Sequence, residues 1–256
     1  MLINYIHLID LQARMKMKSQ ANKLALSYLW WVLEPLLLVV MFYFVFSYLL
    51  ERGGEDYFSF LVVGKIVFTW FSKSVTLASK SIVQNKGIIA QRAIPKWVFV
   101  MAAIQESLYK TVFSFFVMFI IIIFQGYQLN SGWFNLVPLT ITTYLFICGV
   151  GLFASVLVTI ARDFSNIITL LMMGLMFGSG IFWDINSISN DNMKELLFMV
   201  NPLLTIIDLY RDVILHSNPM DYYKIINILV YAIGLILFSL HILHKYNNFI
   251  TRKLLS

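Results

Sequence analysis

Charge is what this sequence has least of. Asp, Glu, Lys and Arg make up 12% of its 256 residues, while 60% are apolar. An ordinary soluble domain carries about twice that share of charge, and a globule of this size could not cover its surface with so little. Composition therefore excludes a soluble enzyme. With 22 Phe, 13 Tyr and 6 Trp it also excludes a disordered chain. Cysteine is nearly missing: Cys148 stands alone in an apolar run, so no disulfide framework is possible and it reads as a small hydrophobe. No Pro/Gly/Ser linker, low-complexity tract or repeat divides the chain, which predicts one domain. A mean hydropathy of +0.80 marks an integral membrane protein. The net charge of +6 is thus a question of placement relative to the bilayer rather than a nucleic-acid signal.

Catalytic motifs are missing too. A phosphate-binding loop needs a glycine-rich turn followed by Lys-Ser/Thr, but Gly64-Lys65 is followed by Ile66, and Ser59 stands where the first glycine should be. The chain is not expected to hydrolyse ATP. His7, His216, His241 and His244 are scattered, with no metal-ligand spacing and no Ser/His/Asp arrangement. Neither an enzyme nor a cofactor of its own is predicted.

What is present is a series of long apolar runs. A spanning helix needs about 20 residues to cross roughly 30 Å of hydrocarbon. Residues 111–161 contain no Asp, Glu, Lys or Arg and hold two spans, separated by the turn-rich stretch 125–138; the first of these enters near Val98. Residues 164–183 and 225–244 are charge-free and supply two more. Residues 25–50, with only Glu34 charged, form the first span, starting near Tyr28. Residues 57–79 are interrupted by Lys65 and Lys73 but complete a set of six, because five spans would separate the two basic ends.

Lys and Arg in short loops set orientation. Twelve fall on one side: Arg14, Lys16, Lys18, Lys23, Lys80, Lys86, Arg92, Lys96, Arg162, Lys245, Arg252 and Lys253. Four fall on the other, Arg52, Lys194, Arg211 and Lys224, among nine acidic residues. Both termini are therefore predicted to be cytoplasmic. No cleavable signal peptide is apparent, since the first apolar stretch continues as a span.

Three segments lie outside the spans. Leu2, Ile6, Ile9, Ala13 and Met17 share one helical stripe beside His7, Asp10, Arg14 and Lys18, the pattern of an amphipathic helix on the cytoplasmic face over residues 1–27, or of a solvated basic arm. Asn85-Lys86-Gly87 and Ile94-Pro95 frame residues 88–93, either a short helix able to lever two spans or an ordinary loop. Residues 184–224 are long for a connection. N-cap candidates Ser189, Asn190 and Asp191, an apolar stripe, the Asn201-Pro202 break and a second apolar run to Ile214 predict a helical hairpin, either a lid over a pore exit or a plain cap.

Charges within spans need an account. Glu106 and Lys110 are spaced to pair along one helix. Lys65 lies about 12 Å below the outer end of its helix, suiting a path for an anionic substrate or an interhelical salt bridge. Lys73 reaches the interface or Glu34. Gly174 and Gly178, with Gly180 beyond, permit close helix approach or self-association. Aromatic residues including Tyr43, Phe46, Phe177 and Phe182 could form rings that stack on sugar faces, whereas Trp30, Trp31 and Trp183 read as interface belts.

Taken in order, a set of motifs resembles the permease subunits of type-2 ABC exporters, in the branch that exports capsule, O-antigen or teichoic-acid polysaccharide. It comprises Ser27 through Pro35 (Ser-Tyr-Leu-Trp-Trp-Val-Leu-Glu-Pro), Val45-Phe46, Gly64 through Trp70-Phe71, Ser81 through Asn85, Pro95, Arg162-Asp163, Asn201-Pro202 and Tyr210-Arg211-Asp212. The resemblance runs nearly the whole length. It departs at Ala90-Gln-Arg-Ala-Ile94, where many relatives place Phe-Pro.

The resemblance implies an all-α polytopic protein of the bacterial cytoplasmic (inner) membrane, a single permease domain over residues 1–256. Spans one to five fall in 28–183, an outer gate hairpin in 184–224, and the sixth span with a cytoplasmic tail in 225–256. It implies a homodimer on two separate ATPase subunits, which hold the ATP and Mg, and a lipid-linked glycan substrate. Coupling to the ATPase would fall to Asn85, Lys86, Ile88, Ile89, Gln91, Arg92 and Arg14. The substrate path would include Lys65, Lys73, Tyr43, Phe46, Phe177 and Phe182, and the outer gate Asn201, Pro202, Tyr210 and Arg211. An exporter of small hydrophobic drugs or lipids would share this architecture; a scaffold or enzyme of glycan assembly is the other alternative.

Overall fold

The structure, a computed structural model, describes residues 2–22, 29–49, 56–92, 94–128 and 130–255. The expected start of the first span at residues 25–28, part of its Ser27–Pro35 motif and Ala93 at the end of the predicted lever lie outside the described residues.

The described residues are helical, with no strand among them. In chain order the α-helices are α1 (Leu2–Ala21), α2 (Trp30–Tyr43), α3 (Tyr57–Gln84), α4 (Lys86–Gln91), α5 (Lys96–Phe124), α6 (Leu136–Ile160), α7 (Phe164–Gly178), α8 (Asp191–Val200), α9 (Pro202–Arg211), α10 (Tyr222–Lys245) and α11 (Asn247–Leu255). A π-helical stretch, Phe44–Leu49, prolongs α2, and a second, Asp212–His216, prolongs α9.

Among the described residues five helices are long and apolar enough to cross a membrane: α2 with its extension, α3, α5, α6 with the short turn before it, and α10. Their outward faces carry large apolar side chains, including Leu37 and Met41 on α2, Phe113 and Phe116 on α5, and Val230 and Leu237 on α10. Such a surface is stable against hydrocarbon and unstable against water.

α3 is the centre of the bundle, packed against α2, α5, α6, α7 and α9. Leu61 through Phe68 are buried without a gap, as expected of a helix enclosed on every side. This bears on the span hardest to read in the sequence: of the α3 lysines that interrupt it, Lys65 is shielded by protein, and Lys73, about half exposed, is paired with Glu34.

Glycine marks the close helix contacts, though not the glycines the sequence pointed to. A Cβ on Gly149 of α6 would lie 2.9 Å from the backbone oxygen of Ala232 on α10, and one on Gly151 would lie 3.0 Å from the Ala78 Cβ on α3. Gly174 and Gly178 have nothing within 4 Å of a built Cβ, so within this chain they admit no close neighbour.

α7 is shorter than its apolar run. It has 15 residues, about 22 Å, and stops at Gly178, after which Gly180 at φ +69° reverses the chain. Asn190 caps α8 by accepting from the Met193 N–H, and Asn201 caps α9 by accepting from the Leu204 N–H, with Pro202 at the first helical position. On α1, Ala13 is buried, whereas Ile6, Leu11 and Met15 are exposed, so Ile6 falls outside the packed face.

Candidate functional site

One face of α3 carries Lys65, Thr69, Ser72, Lys73 and Thr76 at helical spacing, which places them on a common stripe. The stripe lines two adjoining clefts. The smaller, about 230 Å³, is closed by Glu34 and Leu38 of α2 and by Thr169, Met172, Met173 and Met176 of α7. The larger, about 640 Å³, adds Gln20, Trp30, Trp31 and Lys110. Glu34, Thr69, Ser72, Lys73 and Thr76 border both.

Lys65 is 6% exposed. Its Nζ lies 3.2 Å from the Met176 Sδ and 5.5 Å from the ring centroids of Phe42 and Phe68. Of the two sequence alternatives, the salt bridge is not the one formed here: among the described residues no carboxylate lies within 4 Å of Lys65. Lys73 does find one, with Nζ 2.6 Å from Glu34 Oε2, joining α3 to α2. Glu106 and Lys110 also pair, at 2.5 Å, and Lys110 reaches Gln20 at the end of α1.

The aromatic residues expected to gather do so in part. Phe46 and Phe182 stack with centroids 5.1 Å apart, and Phe177 lies 5.5 Å from Phe182. Tyr43 packs instead on Phe58 and Tyr48. Phe177 is exposed.

At the end of the bundle where α4 sits, the predicted coupling residues divide. Asn85 donates to the Ser81 carbonyl at 2.6 Å and holds the α3–α4 corner, and Ile89 is buried in the bundle. Lys86, Ile88, Gln91 and Arg92 face outward. Lys96, at the start of α5, is 5% exposed and donates to the Asn247 backbone and side-chain oxygens and to Thr251 Oγ1, fastening α11 beside α4. Arg14 sits on α1, apart from α4: it pairs with Asp10 at 3.0 Å and lies over the Tyr109 ring, tying α1 to α5. The Tyr109 hydroxyl and then Arg14 hold the Asp10 carboxyl below the usual carboxylate range by hydrogen bonding to its charged form.

At the opposite end, α9 is latched by the predicted gate residues. Arg211 is buried. Its guanidinium donates to the carbonyls of Phe60 (3.1 Å), Gly180 (2.6 Å) and Ile181 (3.1 Å) and lies over the Phe60 ring. Asn201 Nδ2 donates to the Gly178 carbonyl and Ser179 Oγ, and Tyr210, fully buried, meets Thr140 of α6 at 3.1 Å. The sequence reading missed two groups here. Asp208 pairs with Lys224 at 3.4 Å; burial pushes its carboxyl upward and Lys224 opposes this. Gly64 makes room for Arg211, since a Cβ there would lie 2.3 Å from Nη2. Only their positions in the fold reveal them.

Among the described residues no three His, Cys, Asp or Glu side chains converge where a metal ion could sit.

Comparison with known proteins gives a family and a set of relatives. Residues 14–215 match the model of the ABC-2 type transporter family. The chain is 27% identical over 225 residues to the O-antigen export system permease protein RfbA of Klebsiella pneumoniae, covering 86% of this chain and 84% of that one. It is 25% identical over 235 residues to the polysialic acid transport protein KpsM of Escherichia coli, covering 87% and 89%. With the O-antigen export system permease protein RfbA of Myxococcus xanthus it shares 21% over 205 residues, covering 80% and 78%.

Proposed function

The chain belongs to the ABC-2 type transporter family, and from that premise we propose that it is the membrane-spanning permease subunit of an ATP-driven exporter of a lipid-linked polysaccharide. Its similarity to O-antigen and polysialic acid export proteins over most of their length carries this reading. The polar, lysine-bearing stripe of an otherwise apolar central helix supports it, because a conduit needs such a surface where an anchor does not.

In this reading one permease domain fills residues 1–256. It works as a homodimer in the bacterial inner membrane with both termini cytoplasmic, and two separate subunits bind ATP and Mg and supply the power stroke. α1 is the amphipathic helix at the cytoplasmic interface. α4 is the lever, with Lys86, Ile88, Gln91 and Arg92 as its docking face and Asn85 and Ile89 as its anchor. Lys65, Lys73 and the aromatic residues Tyr43, Phe46, Phe177 and Phe182 border the substrate path. The α8–α9 hairpin, held by Asn201 and Arg211, is the extracytoplasmic gate.

The test is reconstitution with the ATPase subunit in vesicles supplied with lipid-linked O-antigen or capsule glycan. The glycan is expected to stimulate hydrolysis in the wild type. Arg92→Glu is expected to lower that stimulation by roughly fivefold or more, the lower range of ordinary site-to-site coupling, with insertion unchanged. Full stimulation in the variant would refute the lever; no response of the wild type to any such glycan would refute the export reading.

A further inference from the structure

The face of α3 that borders both clefts holds two cations in contrasting states. Lys73 is neutralised by Glu34 across the α2–α3 contact. Lys65, deeper along the same stripe and 6% exposed, is contacted by a thioether and two aromatic faces, and among the described residues no carboxylate lies within 4 Å of it. A buried ammonium without a carboxylate is a strong attractor for an anion that can enter. Thr69, Ser72 and Thr76 lie between and beyond the two lysines on the same stripe, so hydroxyl groups are present along the way for an oxyanion to hydrogen-bond. The facing wall is of another kind. Met172, Met173 and Met176 of α7 offer a flexible, polarisable apolar surface, suited to a hydrocarbon chain of no fixed shape. One wall binds charge and hydroxyl-seeking groups, and the other binds oil.

α2 is also the span least committed to the bundle. Among its described residues only Val39 is buried, and the ties that hold it include Lys73 to Glu34 and the bond from Ser114 Oγ to the Trp31 carbonyl. The Lys73–Glu34 pair is about half exposed on both sides, 45% and 51%. Exposed pairs are weak, so a better anion readily takes the place of Glu34.

We propose that the α2–α3 cleft binds the phosphate or diphosphate head of a lipid, which displaces Glu34 from Lys73, passes to Lys65, and thereby unlatches α2 from α3. This deepens the export reading and rests on it: the lipid carrier itself, before any sugar is recognised, opens the wall of the path. Glu34 is then a resident counter-ion that keeps the cleft shut when no carrier is bound.

The test uses the complete complex with its ATPase subunits in vesicles, carrying spin labels on Leu37→Cys of α2 and Lys80→Cys of α3, and reads the distance between them. Adding a polyprenyl diphosphate is expected to lengthen that distance. Inorganic pyrophosphate serves as the arm for the head group alone, and a shift with either probe supports the site. Glu34→Gln, nearly isosteric, is expected to show the longer distance without any probe. Lys65→Met leaves the latch in place and is expected to need about tenfold or more polyprenyl diphosphate for the same shift, with Lys65→Arg restoring the wild-type response. The proposal is overturned if neither probe moves the labels in the wild type, or if Glu34→Gln matches the unliganded wild type and Lys65→Met responds normally. These outcomes are separable from failure of the export reading, which shows instead as a wild-type complex whose hydrolysis no lipid-linked glycan stimulates.

Discussion

Arg211 shows how one side chain ties three segments together. Its donors satisfy carbonyls in α3 and in the turn after α7, and its guanidinium lies over Phe60, so α9 cannot lift without stranding those groups. A stranded buried polar group costs about 1–3 kcal/mol. Gly64 is the complement, because a methyl there would meet Nη2 at 2.3 Å and Cζ at 3.1 Å, and the guanidinium is held too firmly to retreat. Gly64→Ala is therefore expected to destabilise the protein by about 1–3 kcal/mol, the usual range for overpacking, read as a lower melting temperature in detergent. In an Arg211→Met background the same glycine change should cost much less, since the clash is gone; equal losses in both backgrounds would show that Gly64 and Arg211 do not meet. Arg211 was visible in the sequence through its Tyr-Arg-Asp motif. Gly64 was visible as the first residue of the Gly64-to-Phe71 motif, but its contact with Arg211 was not, because the partner lies on a helix far away along the chain.

Among whole elements, what could be read was the apolar length and what could not was the neighbour. α5, α6 and α10 follow their runs closely. α7 does not: Ile181, Phe182 and Trp183 continue the apolar pattern beyond Gly178, but they pack as a turn, with Ile181 and Phe182 buried. Hydropathy does not register such a change of direction, although Gly178-Ser-Gly180 permits it. α11 was missed as an element. Nine residues are too few to be helical on propensity alone. It persists because Ile250 and Leu254 are buried and Lys96 holds its first turn. Lys96→Met keeps most of the side-chain volume and removes those bonds, so α11 should detach locally while the rest of the bundle stays folded. Amide hydrogen exchange over residues 247–255 is expected to accelerate by roughly tenfold, the equivalent of about 1.4 kcal/mol, with α3 and α6 unchanged. Unaltered protection of α11 would show that apolar burial alone retains it.

At the scale of the whole molecule, α1 and α11 both pack on the start of α5, at one end of the bundle. Tyr5 of α1 packs edge-on to Trp97 at the start of α5, and Lys96 beside it binds Asn247 and Thr251 of α11. In the proposed topology both termini are cytoplasmic and the chain crosses the membrane an even number of times, yet among the described residues the helices of full spanning length number five. That topology takes α7 as the sixth span, although about 22 Å of helix falls short of roughly 30 Å of hydrocarbon. The turn that follows it would supply the remainder. Non-helical backbone survives at membrane depth only when protein satisfies its polar groups, and the carbonyls of Gly178, Gly180 and Ile181 are those taken by Asn201 and Arg211. In the proposed topology the latch on α9 is thus also what allows α7 to be short. A single cysteine at exposed Asn190, before α8, is then expected to react with a membrane-impermeant maleimide in intact spheroplasts, and one at exposed Asn248 in α11 only after the membrane is opened; Cys148 is buried and should not contribute to either signal. Labelling of Asn248→Cys from outside would place the basic end of the bundle on the wrong face. Failure of Asn190→Cys to react would mean that α7 turns back within the bilayer, leaving the hairpin on the same side as the termini.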